Sequence, residues 1–136
     1  SVINTGSSNS QVTARTAYLT VTITPSSTSS KIYVGAQGAG SVIWGSNGIL
    51  QSEIWRGDIT TGTVISVAYN GLSGSGPANG NEHYITGQNF IVDSPNTTNA
   101  VTYTFAAVKG SGGTTSARIM GGTAFPITMF AMEIGG

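Results

Sequence analysis

The chain has 136 residues, a hydrophobic fraction of 38%, and five basic against five acidic side chains, so its formal net charge is zero. That length suits one domain, and the charge excludes the basic surface that nucleic-acid binding or a polybasic membrane attachment needs. No run of about 18 apolar residues is present to insert in a bilayer as a helix, and without cysteine neither a disulfide framework nor a thiolate zinc site can form.

Residues 1–10 (SVINTGSSNS) are polar and aperiodic and read as a linker or frayed N-terminus, with residues 11–136 as the folded module; the chain reads as a piece of something longer. Strict alternation begins at Thr16. Ala17, Leu19, Val21 and Ile23 face one way and Tyr18, Thr20, Thr22 and Thr24 the other, the pattern of a half-buried strand. Pro25 ends it, the hydroxyl-rich SSTSS turns the chain, and a second strand starts at 31–34. The glycines of GAQGAG (35–40) have no helix pattern after them, so they read as a turn or close strand packing rather than a phosphate loop.

A short strand at 41–44 is bounded by glycines, and strands follow at 49–58 and 64–69. The stretch NGLSGSGPANGNEH (70–83), dominated by glycine, serine and asparagine with one proline, reads as a long loop in which no core can form. Segments 84–92, 101–108, 114–120 and 127–134 complete the series. About eight or nine short strands at regular spacing, with no 3.6-residue apolar stripe, predict an all-β fold, an antiparallel two-sheet sandwich or jelly roll.

Glycine, serine, threonine and asparagine number 20, 17, 19 and 9, so large apolar side chains are few and the ordering entropy is high. Association of identical copies would add the missing burial, and a neutral chain does not repel itself. The expectation is a homo-oligomer.

Catalytic constellations are hard to assemble. His83 is the one histidine, beside Glu82; a solvated loop histidine accounts for it, although the pair could serve as a base with its orienting carboxylate, or as one third of a metal site on a threefold axis. Glu53 and Asp58 are too far apart on one extended segment to act as a glycosidase pair, and Glu53 with Arg56, or Arg56 with Asp58, reads as a surface ion pair. Asp93, before Pro95, fits a turn-initiating role, and Glu133 is expected to pair with Arg118 or Lys109. The chain is therefore expected to be no enzyme, with no metal and no cofactor.

Aromatic side chains remain. Trp44, Trp55, Tyr69 and Tyr84 can offer flat faces to a sugar ring, while Asn70, Asn79, Asn81 and Gln88 can bond its hydroxyls; Trp44, Trp55, Asn79, Asn81, His83 and Tyr84 form the expected ligand-facing set. The alternative for Trp44 and Trp55 is a place in the core or in a subunit interface.

Three strings, TITPSSTSSKIYV (22–34), DSPNTTNAVTYTF (93–105) and TMFAMEI (128–134), occur in that order, with SEIWRGDIT (52–60) between the first two. Their arrangement resembles a β-rich module of phage and prophage virion structural proteins, the tail-fibre-like proteins of marine phages, over residues 11–134. The resemblance implies a sandwich near the C-terminal end of a fibre, a homotrimer at the virion surface, attached to other virion proteins and binding a host cell-surface glycan or protein. The glycine-rich loop at 70–80 and the glycines at 35–40 depart from that module. Two other roles compete with attachment: a purely structural virion or capsid-decoration protein, and a monomeric lectin-like carbohydrate-binding module.

Overall fold

The computed structural model describes residues 1–6, 9–46, 48–72, 82–110, 113–120 and 126–135. Among them every regular element is a strand: β1 (Val2–Gly6), β2 (Asn9–Gln11), β3 (Thr16–Ile23), β4 (Lys31–Ser46) and β5 (Gly48–Arg56). The second half of the chain supplies β6 (Thr63–Leu72), β7 (Glu82–Asp93), β8 (Val101–Lys109), β9 (Gly113–Met120) and β10 (Ile127–Gly135). All pairings are antiparallel.

Sheet one is built on β4. β7 lines one flank of it over 32–43, and the other flank is shared, β10 along 31–37 and β9 along 39–46. β1 continues beyond β10, and β2 beyond β9. Sheet two has the order β3-β8-β5-β6. With β1–β2 and β9–β10 each taken as one broken strand, the chain makes about eight strands of the kind found in jelly rolls. In chain order sheet one then runs first, eighth, third, sixth, and sheet two second, seventh, fourth, fifth. That order is a jelly roll: the two-sheet sandwich is confirmed, and its connectivity is that of paired Greek keys.

Period-two patterning accounts for the strands. In β3, Leu19, Val21 and Ile23 are buried while Thr20 and Thr22 are exposed. Ala17 leaves the pattern because the pairing with β8 shifts between Ala17 and Leu19. On the outer side Thr22 lies opposite Thr102, and their hydroxyls hydrogen-bond at 2.8 Å. β8 sits between two neighbours and is buried on both faces from Tyr103 to Ala107. Between the sheets, Tyr103, Phe105, Ile32, Ile54, Ile127 and Met129 are the largest apolar side chains of the core.

Several sequence expectations change. Residues 1–10 carry β1 and β2 rather than a linker, because their backbone groups complete the ladder of β10 and β9. The glycines at 35–40 do not end a strand: the segments expected at 31–34 and 41–44 are one strand of 16 residues. A Cβ on Gly35 would lie 2.5 Å from the Phe130 ring and 2.6 Å from that of Phe90, so the two phenyl groups fill the space a side chain would take. The expected long loop is shorter, since Asn70–Leu72 pairs with β5, and Glu82 and His83 pair with Ile43 and Val42 of β4.

Polar side chains join the sheets along their edges. Asn89 of β7 donates through Nδ2 to the Ser52 carbonyl at 3.1 Å and accepts from the Ser66 hydroxyl. Asp93 accepts from the Tyr103 hydroxyl at 2.9 Å and from Arg56 Nη1, 3.2 Å from each carboxylate oxygen. Burial, reinforced by that bond to Asp93, pushes the Tyr103 hydroxyl well above the ordinary tyrosine range. At the opposite edge Asn4 Nδ2 donates to the Thr20 carbonyl at 2.8 Å. Asp93 is thus an inter-sheet anchor rather than a turn initiator, and it takes Arg56 away from both Glu53 and Asp58. Asp58 instead caps its own turn, accepting from the backbone N–H groups of Thr60 and Thr61 at 2.7 and 2.9 Å.

The Gly35 contact sets the first prediction. Gly35→Ala must displace two ring edges and is expected to destabilise the fold by about 1–3 kcal/mol, read as a lower urea midpoint with an unchanged slope.

Candidate functional site

The candidate site lies on the outer face of sheet two. Gln51, Glu53 and Trp55 alternate along β5 with Leu50, Ser52 and Ile54, and Leu50 and Ile54 point into the core, so the first three share the outer face. The register places Tyr69 opposite Gln51, Val67 and Ala106 on either side of Glu53, and Thr104 opposite Trp55.

Glu53 holds this face together. It is only 1% exposed although it is on the outer side of the sheet. Its carboxylate accepts from Arg15 Nε at 2.7 Å and Nη2 at 3.1 Å, from Gln51 Nε2 at 2.7 Å and from Trp55 Nε1 at 2.7 Å. Four donors fill the acceptor positions of one carboxylate. Arg15, just before β3, must cross β8 to arrive there, and the β8 residue opposite Glu53 is Ala106, whose methyl group leaves room. The guanidinium also lies 5.3 Å from the centre of the Trp55 ring, within cation–π range.

Burial pushes the Glu53 carboxyl up, but the bonds from Arg15 and Trp55, the Arg15 charge and the bond from Gln51 outweigh it, and the group stays ionised below its ordinary range. The same hydrogen bond and charge raise the Arg15 guanidinium further. A carboxylate that is saturated with donors and held ionised is a poor general acid. Its role here is to position an indole and a guanidinium. Around it, the Arg15 side chain is 43% exposed, Trp55 is half-buried and Tyr69 is 70% exposed.

Of the expected ligand-facing set, Trp44, His83 and Tyr84 lie on the adjacent strands β4 and β7 of sheet one, and Trp55 lies apart from them. Trp55 is at the far end of β5 from the β4–β5 connection, roughly 20 Å along the strand from the end of the molecule where Trp44 lies, and on the other sheet. Tyr84 pairs with Ser41 and His83 with Val42 in sheet one; for these two and for Trp44 the strand pairing is described and the side chains are not. Asn79 and Asn81 lie outside the described residues. Arg15, Gln51 and Tyr69 were not in the set. The alternation Gln51, Glu53, Trp55 was readable as one face, whereas Arg15 is 38 positions from its partner and left no local signal.

Glu133 also departs from expectation. It accepts from the Ser26 backbone N–H at 3.0 Å, the Ser26 hydroxyl at 2.6 Å and the Ser30 hydroxyl, so it ties the turn after β3 to β10 instead of pairing with Arg118 or Lys109. Those serine bonds hold its carboxyl below the usual range. No protein-family model and no curated protein matches the chain.

Glu53, Asp58 and Glu133 all have depressed folded values, so each stabilises the fold while ionised. Their contribution is complete above the unfolded carboxylate range, about pH 4–5, and is lost as pH falls below it. Urea midpoints are expected to be level from pH 6 to 8 and to drop below about pH 4. Glu53→Gln leaves Arg15 without its anionic partner; it should cost about 1–3 kcal/mol at neutral pH and make the acid limb shallower.

Proposed function

We propose that the chain is a non-catalytic attachment module of a virion fibre or spike, a trimer that binds a host cell-surface glycan through the outer face of sheet two. The observation that carries the reading is the indole of Trp55, fixed through its own N–H by Glu53, backed by the Arg15 guanidinium and still part-open to solvent. Tyr69 stands on the same face about 14 Å away, four residues along β5 and one strand across. Aromatic faces accept the C–H side of a sugar ring, and Gln51 and Arg15 supply donors for hydroxyls. The spacing suits a short oligosaccharide spanning both rings better than a single sugar. Each such contact is weak, and three copies on one tip would gain avidity through effective concentration.

This reading puts the module outside the cell, at the virion surface, with other virion proteins holding it there. Its neutral surface, rich in threonine and serine, agrees with that setting. A purely structural virion role has one observation in its favour, an exposed apolar patch on the outer face of sheet one.

The test is a glycan array followed by titration of the strongest binders. Tyr69→Ala should lower array binding at least tenfold with an unchanged melting temperature. Failure of the wild type to bind any glycan would overturn the reading, as would loss on Tyr84→Ala with Tyr69→Ala unaffected, which would move the site to sheet one.

A further inference from the structure

Two neighbouring rows on the outer face of sheet one are apolar where a sheet with one face in water is ordinarily polar, and the row beyond them, Thr5, Thr128, Gln37 and Gln88, is polar. Strand pairing brings Val92, Tyr33 and Met132 into one row, and Phe90, Gly35, Phe130 and Ile3 into the next. Ile134 extends the patch along β10. The three rings form one cluster: Tyr33 stacks on Phe90 at 6.1 Å and meets Phe130 edge-on at 5.4 Å. Because Gly35 has no side chain, Phe90 and Phe130 lie down over it, and the middle of the face is covered by rings instead of interrupted by a groove.

Ile3, Phe90, Val92, Met132 and Ile134 are each 40–68% exposed. At roughly 150–200 Å² for a side chain of this size, they leave about 400–500 Å² of apolar surface open. A monomer's largest apolar patch is about 300–600 Å² and is itself often functional. One side of a standard interface covers about 800 Å², of which a little over half is apolar. The exposed apolar area therefore matches one side of a stable interface. None of the residues in the two rows is charged, so a charged partner would find nothing to pair with, while a second neutral face would lose nothing by covering them.

We propose that this face is where copies of the chain associate, with a second copy of the same chain as its occupant. The proposal rests on the oligomeric part of the attachment reading and locates its interface: the aromatic face of sheet one turns inward, and the Trp55–Tyr69 face of sheet two turns outward. The opposed faces of one sandwich would then divide assembly from recognition.

The experiment is the mass of the full chain by light scattering after size exclusion, across a dilution series. It compares the wild type with the double variant Val92→Lys/Ile134→Lys and with Val67→Lys, an equally exposed apolar position on sheet two. Circular dichroism checks that each is folded, and Ile3→Lys, at the most exposed position of the patch, takes the place of the double variant should that fail to fold. The wild type and Val67→Lys are expected to run as a multimer, with three chains under the attachment reading. The face variant should fall to a single chain, with association weakened at least a hundredfold. A wild type that stays a single chain at every concentration would overturn the proposal, as would a folded face variant that assembles as strongly as the wild type. A two-chain mass abolished by the face variant upholds the interface and overturns the trimer. Glycan binding by the folded single-chain variant is scored separately: its absence from variant and wild type alike ends the attachment reading and leaves the interface standing.

Discussion

Two phenyl rings lie where the side chain of residue 35 would be, and much of the architecture follows from that contact. The absence of a Cβ at Gly35 lets β4 pass between Phe90 on one neighbour and Phe130 on the other without displacing either. β4 can then run 16 residues as a single strand, long enough for β10 and β9 to share one of its flanks while β7 occupies the other. The jelly-roll order depends on that length. The same contact flattens the rings over the sheet and gives its outer face a continuous apolar middle. A glycine that reads locally as a strand breaker is, in three dimensions, what allows the strand to continue.

The sandwich has few large apolar side chains, and polar groups supply much of its specificity. Asn89 and Asp93 connect β7 to sheet two, Asn4 connects β1 to β3, and Glu133 ties β10 to the turn that follows β3. Each of these groups has partners that satisfy it, which is the condition for polar groups at a sheet interface to stabilise instead of cost. Glu53 follows the same rule on the outside of sheet two, where its buried charge is matched by a guanidinium and two further donors. Positions that looked like loose surface charges are thus the points that fix one sheet, or one side chain, relative to another.

What was legible in the sequence was local. The alternation from Leu19 to Ile23 identified the strand and its buried side, and the threonines opposite identified the outer side; that Thr22 meets Thr102 there needed the register. The two-sheet class followed from the rhythm of such segments. What was not legible depends on partners remote in sequence. The N-terminal ten residues carry no apolar alternation, and they become strands because β9 and β10 present a ladder for them to complete. Arg15 with Glu53 and Arg56 with Asp93 are joined across 38 and 37 positions, and nearer charges offered plausible but wrong partners. At the candidate site, Trp55 and Tyr69 were readable as candidate aromatics, with the core or a subunit interface as the other place for Trp55; the fixation of Trp55 by Glu53 and the face it shares with Tyr69 needed the register of β5 against β6.

Two outer faces with different chemistry give the molecule a direction. One carries an apolar, ring-covered patch; the other carries a fixed indole, a guanidinium and an open tyrosine. The central claim is that the first is covered in the working assembly and the second is not. The chain contains no cysteine, so single thiols can report on each face without background. The most direct measurement is the alkylation rate of Val92→Cys on sheet one and Val67→Cys on sheet two, compared between concentrated and dilute protein. The account predicts that the thiol at position 92 becomes at least tenfold slower to react in the concentrated, assembled state while the thiol at 67 keeps its rate. Equal rates at position 92 in assembled and dissociated protein would contradict it.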